Sequence, residues 1–442
     1  SSRTIPLCIL TCSRQKNSCP MSYILIENIR QLVQVQEALP SGNVTCRGGE
    51  RMALLPCMKD AWLFIEDDRI AGVGPMSLSP YTEQVPVGTQ IIDASGCVVF
   101  PSFCDCHTHL VYAGSREREF MDKIRGLSYE EIAARGGGIL NSAQLLQSVS
   151  ENKLFEETLP RVRELIGFGT GAVEIKSGYG LTLRDELKML RVIRRIAEET
   201  PLRVKSTFLG AHAVPAEYKD RKEAYVELII REMIPAVASE KLADYIDVFC
   251  ERGFFSVEDT RRIFDAGLRY GLRPRVHANQ MAFSGGVQTG IEYGAVSVDH
   301  LEHTGPAEWN ALAQSDTMPV LLPGATFFLE MEYAPAREMI ACGLPVVLAS
   351  NYNPGSCPAG NIQFMMTLAC LKMKMTPEEA VNAATLNGAC AMDLSHDYGS
   401  VTVGKVANLF ITKPMPSYEY FAYAFTSPLV QTVILNGKIQ KL

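Results

Sequence analysis

The sequence predicts an α/β chain: a (β/α)8 barrel of the TIM type with a small composite β-sandwich domain built from both chain ends. Three observations predict it. Across residues 101–406, short strand-like runs alternate with longer helical patterns, the signature of βαβ units. Eight such runs can be counted, the number that closes a parallel sheet on itself. Short β-like segments separated by turns flank this zone on both sides.

Residues 1–20 are read as a leader or non-native segment and left out of the fold. Leu7-Cys8-Ile9-Leu10 is too short for a secretory core, and Arg14 and Lys16 follow it rather than precede it. Residues 21–100 read as β: Tyr23–Ile26, Ala61–Ile65, Ile70–Val73 and Cys97–Phe100, with turns at Glu66-Asp67-Asp68 and Gly72 to Pro75. The barrel strands are the segment reaching His107, then Gly171–Lys176, Val204–Leu209, Tyr245–Cys250, Arg273–His277, Ala295–Asp299, Met318–Leu322 and Pro345–Ala349. Asp185–Glu199 carries Leu187, Leu190, Ile193 and Ile196 at helical spacing. Thr376–Ala391 opens with an N-cap threonine and a proline at the first helical position. In residues 407–442 the β pattern returns at Ala407–Ile411 and Val430–Leu435, and Asn436-Gly437 makes a turn. Barrel termini lie close together, so both flanks are expected to share one domain.

The formal net charge of −7 offers no basic surplus for phosphates, so no nucleic-acid partner is expected. No apolar run reaches membrane-spanning length, so no membrane partner is expected either. Thirteen cysteines form no CxxC pair, and several, such as Cys250, Cys342 and Cys370, sit in apolar runs. They read as reduced core residues of a cytoplasmic protein.

Histidine carries the chemistry. Of seven histidines, His107, His109, His212, His277 and His300 fall at the C-terminal ends of predicted strands, the face where barrels of this kind place their sites. Residues two apart in a strand point the same way, so His107 and His109 can reach one ion. With His277 and His300 at other strand ends, the cluster points to a metal. His303 and His396 read as surface or structural.

Phe103-Cys104-Asp105-Cys106-His107-Thr108-His109 resembles the first-strand motif of the amidohydrolase superfamily, and Ile91-Ile92-Asp93-Ala94-Ser95-Gly96 its lead-in. Within that superfamily the chain resembles the imidazolonepropionases from about Met21 to its end. The stretches that carry this are Val111 to Arg116, Gly136 to Ile139, Glu174 to Gly180, Gly210 to Pro215, His277 to Gln280, Asp299 to Leu301 and Asn353 to Ser356. The most specific are Lys176-Ser177-Gly178-Tyr179-Gly180 and Gly210-Ala211-His212-Ala213.

The resemblance implies one divalent metal ion, zinc or iron, held by His107, His109, His277 and an eighth-strand fourth ligand. It implies attack by a water acidified by the ion on the ring amide of 4-imidazolone-5-propanoate, giving N-formimidoyl-L-glutamate in histidine degradation. His300 would stabilise the oxyanion. Arg116 would hold the substrate carboxylate, and Tyr129, Tyr179, His212, Gln280, Asn353, Gly355 and Ser356 would complete the substrate site. Fold-level analogy gives a homodimer.

The sequence departs from the pattern at the eighth strand, where Asn351 stands in place of the family's aspartate. An amide oxygen ligates weakly and cannot act as a base at neutral pH, so reduced activity is expected. No carboxylate lies within ten residues of it. Gln280 replaces a frequent glutamate, and Ser102 and Cys104 are milder changes beside the HxH motif. Two other readings stand beside this one: another amidohydrolase, such as a purine or pyrimidine deaminase, and a non-catalytic barrel that keeps a binding site. Arg116 weighs against the first, because a neutral base needs no carboxylate clamp. The retained histidines weigh against the second.

Overall fold

A computed structural model describes residues 21–39, 46–128, 131–132 and 135–441. The segment read as a leader and Tyr129 lie outside the described residues. Before the barrel come β1 (Tyr23–Val33), β2 (Cys57–Glu66), β3 (Arg69–Pro75), β4 (Gln90–Asp93) and β5 (Val98–Pro101). The barrel strands are β6 (Phe103–Thr108), β7 (Thr170–Lys176), β8 (Arg203–Ala211), β9 (Tyr245–Cys250), β10 (Arg273–Ala278), β11 (Ser297–His300), β12 (Met318–Leu321) and β13 (Val347–Leu348). After it come β14 (Leu409–Thr412), β15 (Val430–Leu435) and β16 (Lys438–Ile439).

The flanking strands form one mixed sheet in the order β16-β15-β14-β5-β1-β2-β3, with β4 also on β1. The antiparallel β5–β14 pair, Leu409 opposite Pro101, brings the two flanks of the barrel into this sheet. A bulge between Ile26 and Ile29, with Asn28 at φ +57°, bends β1, and the sheet encloses Ile26, Leu63, Ile65, Val99, Leu409 and Ile434. Gly72 to Pro75 is strand, not the turn that its composition suggests. The Trp62 ring lies against this edge, and a Cβ at Gly74 would meet Trp62 Nε1 at 2.8 Å. Those glycines make room for an aromatic ring rather than for a reversal.

The barrel strands are parallel and follow chain order from β6 to β13. Its last seam is not a long ladder. Asn351 N donates to His107 O at 2.9 Å and His109 N to Tyr352 O at 2.9 Å, just beyond the end of β13. Closure therefore runs through the residues that carry the HxH motif. Strand alternation then sorts the side chains. Cys104 and Cys106 pack with Ala389 and Met392 on the helix side, so Asp105 and His107 point inward. Val276 and Val248 belong to the large helix-side core, so Arg275, His277 and Asp247 also point inward.

The helix expected at Thr376–Ala391 is two helices, Pro377–Ala384 and Leu386–Cys390, broken at Thr385. Thr376 does cap the first, in a capping box with Glu379. The break lowers the second helix onto β6, where Gly388 lies against the Cys104 carbonyl. The ten cysteines of the described residues are free, but not all are core: Cys342 is exposed at a helix C-cap, and Cys57 is exposed. Among the described residues no helix is long and apolar enough to cross a membrane.

A methyl group at Gly388 would overlap the Cys104 carbonyl, a backbone atom that cannot move without displacing the HxH strand. Gly388→Ala should lower stability by about 1–3 kcal/mol, the usual range for overpacking a filled core. Denaturant unfolding measures it, and an unchanged midpoint would contradict this packing.

Candidate active site

At the C-terminal mouth of the barrel lies a cavity of about 360 Å³, lined among others by His109, Arg116, Tyr179, His212, His277, Gln280, His300, Asn351, Asn353, Gly355 and Ser356. The sequence-selected residues thus converge, apart from His107, which lies immediately beneath, and the undescribed Tyr129. His303 and His396 stay outside the lining, and His396 is largely exposed.

His107, His109 and His277 each offer a ring nitrogen within 4.8 Å of the other two. Two rings are oriented from behind. His107 Nδ1 pairs with Asp299 Oδ2 at 2.5 Å, and His277 Nδ1 with Asp247 Oδ1 at 3.0 Å. A carboxylate on Nδ1 fixes the tautomer that leaves Nε2 as a lone-pair donor. His107 Nε2 is accordingly buried with no hydrogen-bond partner, and so is Asn351 Oδ1. Burial, reinforced at His107 by the Lys176 charge, holds His107 and His109 well below the ordinary histidine range; burial also outweighs Asp247 at His277. Neutral imidazoles whose nitrogens converge, with His277 Nε2 3.4 Å from His109 Nε2, are the donor set for a divalent ion.

The carboxylates behind the rings are themselves held. Lys176, fully buried, lies 2.8 Å from Asp247 and 2.9 Å from Glu174. Arg275, also fully buried, lies 3.8 Å from Asp299 and donates to the Cys106 and Ala391 carbonyls. Lys176 and Arg275 are raised in spite of burial by these carboxylates, and Asp247 is pressed well below its ordinary value by His277 and Lys176 against burial. Sequence reasoning missed this layer. Its signal was present: Glu174 and Lys176, Arg275 and His277, and Asp299 stand at inward-facing parity in buried strands, where charge needs a partner.

The substrate-side residues have equally local causes. The Ser177 to Leu181 turn is held by Glu186 of the helix Leu183–Glu199, whose carboxylate accepts from the backbone of Gly178, Gly180 and Leu181. That turn sets Tyr179 beside His212, with ring centroids 5.2 Å apart. His212 Nδ1 donates to Gly178 O at 2.9 Å and the ring stacks on His109; burial, then His277, lower it to about 3. Arg116 rests over Gly355, where any Cβ would occupy the guanidinium's place, and it pairs with Glu119 at 2.8 Å. In the Asn353 to Ser356 turn, Asn353 Oδ1 accepts from both Gly355 N and Ser356 N at 2.8 Å. Those donors build the turn instead of facing the cavity. Phe249 and Phe254, not singled out from the sequence, add an apolar wall. Gln280 is held from behind through its backbone N–H by Glu251 Oε2 at 3.0 Å.

The metal assignment has a direct measurement. Purified chain incubated with zinc should hold one ion among these histidines, and His277→Ala should lose it, by elemental analysis after dialysis. Asp247→Ala should weaken retention roughly 10–100-fold, as removal of an orienting carboxylate does elsewhere. Full retention by His277→Ala would remove the cluster as the binding site.

Comparison with known proteins agrees with this geometry. A sequence model of the amidohydrolase family matches residues 98–440. An imidazolonepropionase of Flavobacterium johnsoniae is 53% identical over 94% of this chain and 99% of its own length. Another, of Christiangramia forsetii, is 52% identical over 94% of this chain and 99% of its own. Among solved structures, a triazine hydrolase variant superposes with a TM-score of 0.71 at 14% identity, covering 94% of each chain, which shows a shared fold.

Proposed function

The chain belongs to the amidohydrolase family and, within it, to the imidazolonepropionases, and from that premise we propose how its own residues carry out the hydrolysis. The substrate is 4-imidazolone-5-propanoate and the product N-formimidoyl-L-glutamate. The observation that carries the reading is the meeting of a three-histidine cluster with a partly buried arginine, Arg116, at one cavity.

His107, His109 and His277, with the Asn351 amide oxygen, would hold one divalent ion, zinc or iron. When bound, that ion supplies a Lewis acid and an acidified water. The chain does the rest. Arg116, oriented by Glu119 and given room by Gly355, takes the propanoate carboxylate. Tyr179 and His212 flank the imidazolone ring, and Phe249 and Phe254 exclude water from its far side. Gln280, Asn353 and Ser356 line the remainder, and Tyr129 stays among the proposed contacts. Proton handling falls to His300. Asn351 cannot accept a proton, and His212 is held too acidic to compete for one. Nε2 of His300 accepts the proton as water oxygen bonds to the ring carbonyl carbon. The protonated ring then stabilises the oxyanion and returns the proton to the departing ring nitrogen as the C–N bond breaks.

Two variants test the reading. Arg116→Ala should raise KM for the propanoate substrate about 30-fold, equivalent to ~2 kcal/mol for a lost charge-assisted pair. An unchanged KM would leave Arg116 as a structural partner of Glu119. Asn351→Asp should raise kcat about 10²-fold or more by restoring a positioned acid–base carboxylate, and tighten metal retention against a chelator while KM moves little. A brisk parent enzyme unchanged by the substitution would show that the eighth strand needs no carboxylate. Metal-loaded protein inert toward imidazolone propionate in both forms would overturn the substrate.

A further inference from the structure

Beneath His300, away from the cavity, sits a buried carboxylate to which nothing above gives a role. The Glu302 side chain is only 2% exposed. Thr326 Oγ1 donates to its Oε1 at 2.8 Å, while its Oε2 is buried without a hydrogen-bond partner. Among the described residues its ion-pair neighbour is His300, whose Nδ1 lies 3.9 Å from Oε1. That Nδ1 is itself buried and unpartnered. The oxygen that faces Nδ1 is Oε1, which keeps acceptor capacity beside its bond from Thr326, and a buried ring nitrogen without a partner is destabilised until it finds one. At 3.9 Å, a shift of about 1 Å would bring the pair to hydrogen-bond distance.

The backbone points the same way. Asp299 faces into the barrel, so strand alternation would send His300 to the helix side. Instead His300 has φ +93° and Leu301 φ +69°, two successive non-glycine residues in a strained region. This reversal turns the His300 ring into the cavity and returns Glu302 beneath it.

We propose that Glu302 is the positioning residue of His300. It accepts a hydrogen bond from Nδ1–H, fixes that tautomer and so presents the Nε2 lone pair to the cavity, and its charge supports the ring once protonated. Thr326 holds the carboxylate in place. The arrangement follows the logic of a carboxylate behind a catalytic histidine. The role in turnover rests on the hydrolytic reading above; the tautomer does not.

The test is a double-mutant cycle on zinc-loaded protein. Glu302→Leu should lower kcat about 10²-fold, within the range of a positioned acid–base group, with KM and bound zinc unchanged. Glu302→Gln, which keeps an acceptor oxygen and the side chain's shape but not the charge, should fall only about tenfold, on the same scale. In a His300→Ala background, Glu302→Leu should change kcat less than about twofold, since coupled residues are not additive. An equal loss in both backgrounds would make Glu302 a merely structural residue and overturn the proposal. Nitrogen-15 imidazole spectra, with His300 assigned from the His300→Ala variant, give an answer independent of activity. The Nδ1–H tautomer should appear in the parent and in Glu302→Gln, whose amide oxygen still accepts, and be lost in Glu302→Leu. An Nε2–H tautomer in the parent would overturn the positioning role. If no variant or parent turns over the substrate, the hydrolytic reading fails while the spectra still decide the tautomer.

Discussion

Asp247 and Asp299 each stand between a buried cation and a histidine, and the rest of the site depends on those two carboxylates. Asp247 joins Lys176 to His277, and Asp299 joins Arg275 to His107. Barrel interiors of this fold are more often layers of branched apolar side chains. Here the inward positions carry charge, and a buried charge is tolerable only when paired. Removing one member leaves its partner uncompensated, so the network fixes identities as well as shapes. The two rings whose nitrogens converge are oriented by the same contacts that make the barrel interior electrostatically tolerable.

Much of this was legible beforehand because two periodicities report on it. The alternation of strand and helix announced the eight-stranded barrel, and histidines gathered at strand ends announced its mouth. The charged layer behind them was less legible, because the residue pairs lie on different strands: Lys176 meets Asp247 and Arg275 meets Asp299 only through β-pairing. Composition misled at Gly72 and Gly74, where small residues serve Trp62 instead of a turn. It misled again at Thr376–Ala391, where one continuous helical pattern hides a break that seats Gly388 on β6.

Strand parity failed in the places where the chemistry gathers. Asn279, His300, Leu301 and Asn351 all have positive φ at or just beyond strand ends. Asparagine tolerates that conformation, whereas histidine and leucine adopt it at a cost that surrounding packing must offset. A pattern of alternating faces therefore predicts the barrel wall well and its rim poorly. His300 is the clearest instance, since it shares the inner face with its immediate neighbour Asp299.

The short seam between the first and last barrel strands bears on how the molecule is made. His107 and His109 receive backbone partners on one side only when Asn351 and Tyr352 arrive, near the close of the barrel's synthesis. Until then β6 pairs with β7 alone, and its other edge has no partner until the segment that seals it has been made. Joining ends so distant in the chain is slow, because the entropy of a very long loop is lost before any contact repays it. The free edge of the first strand is thus the last in the barrel to be paired, and an unpaired edge is where wrong pairing starts.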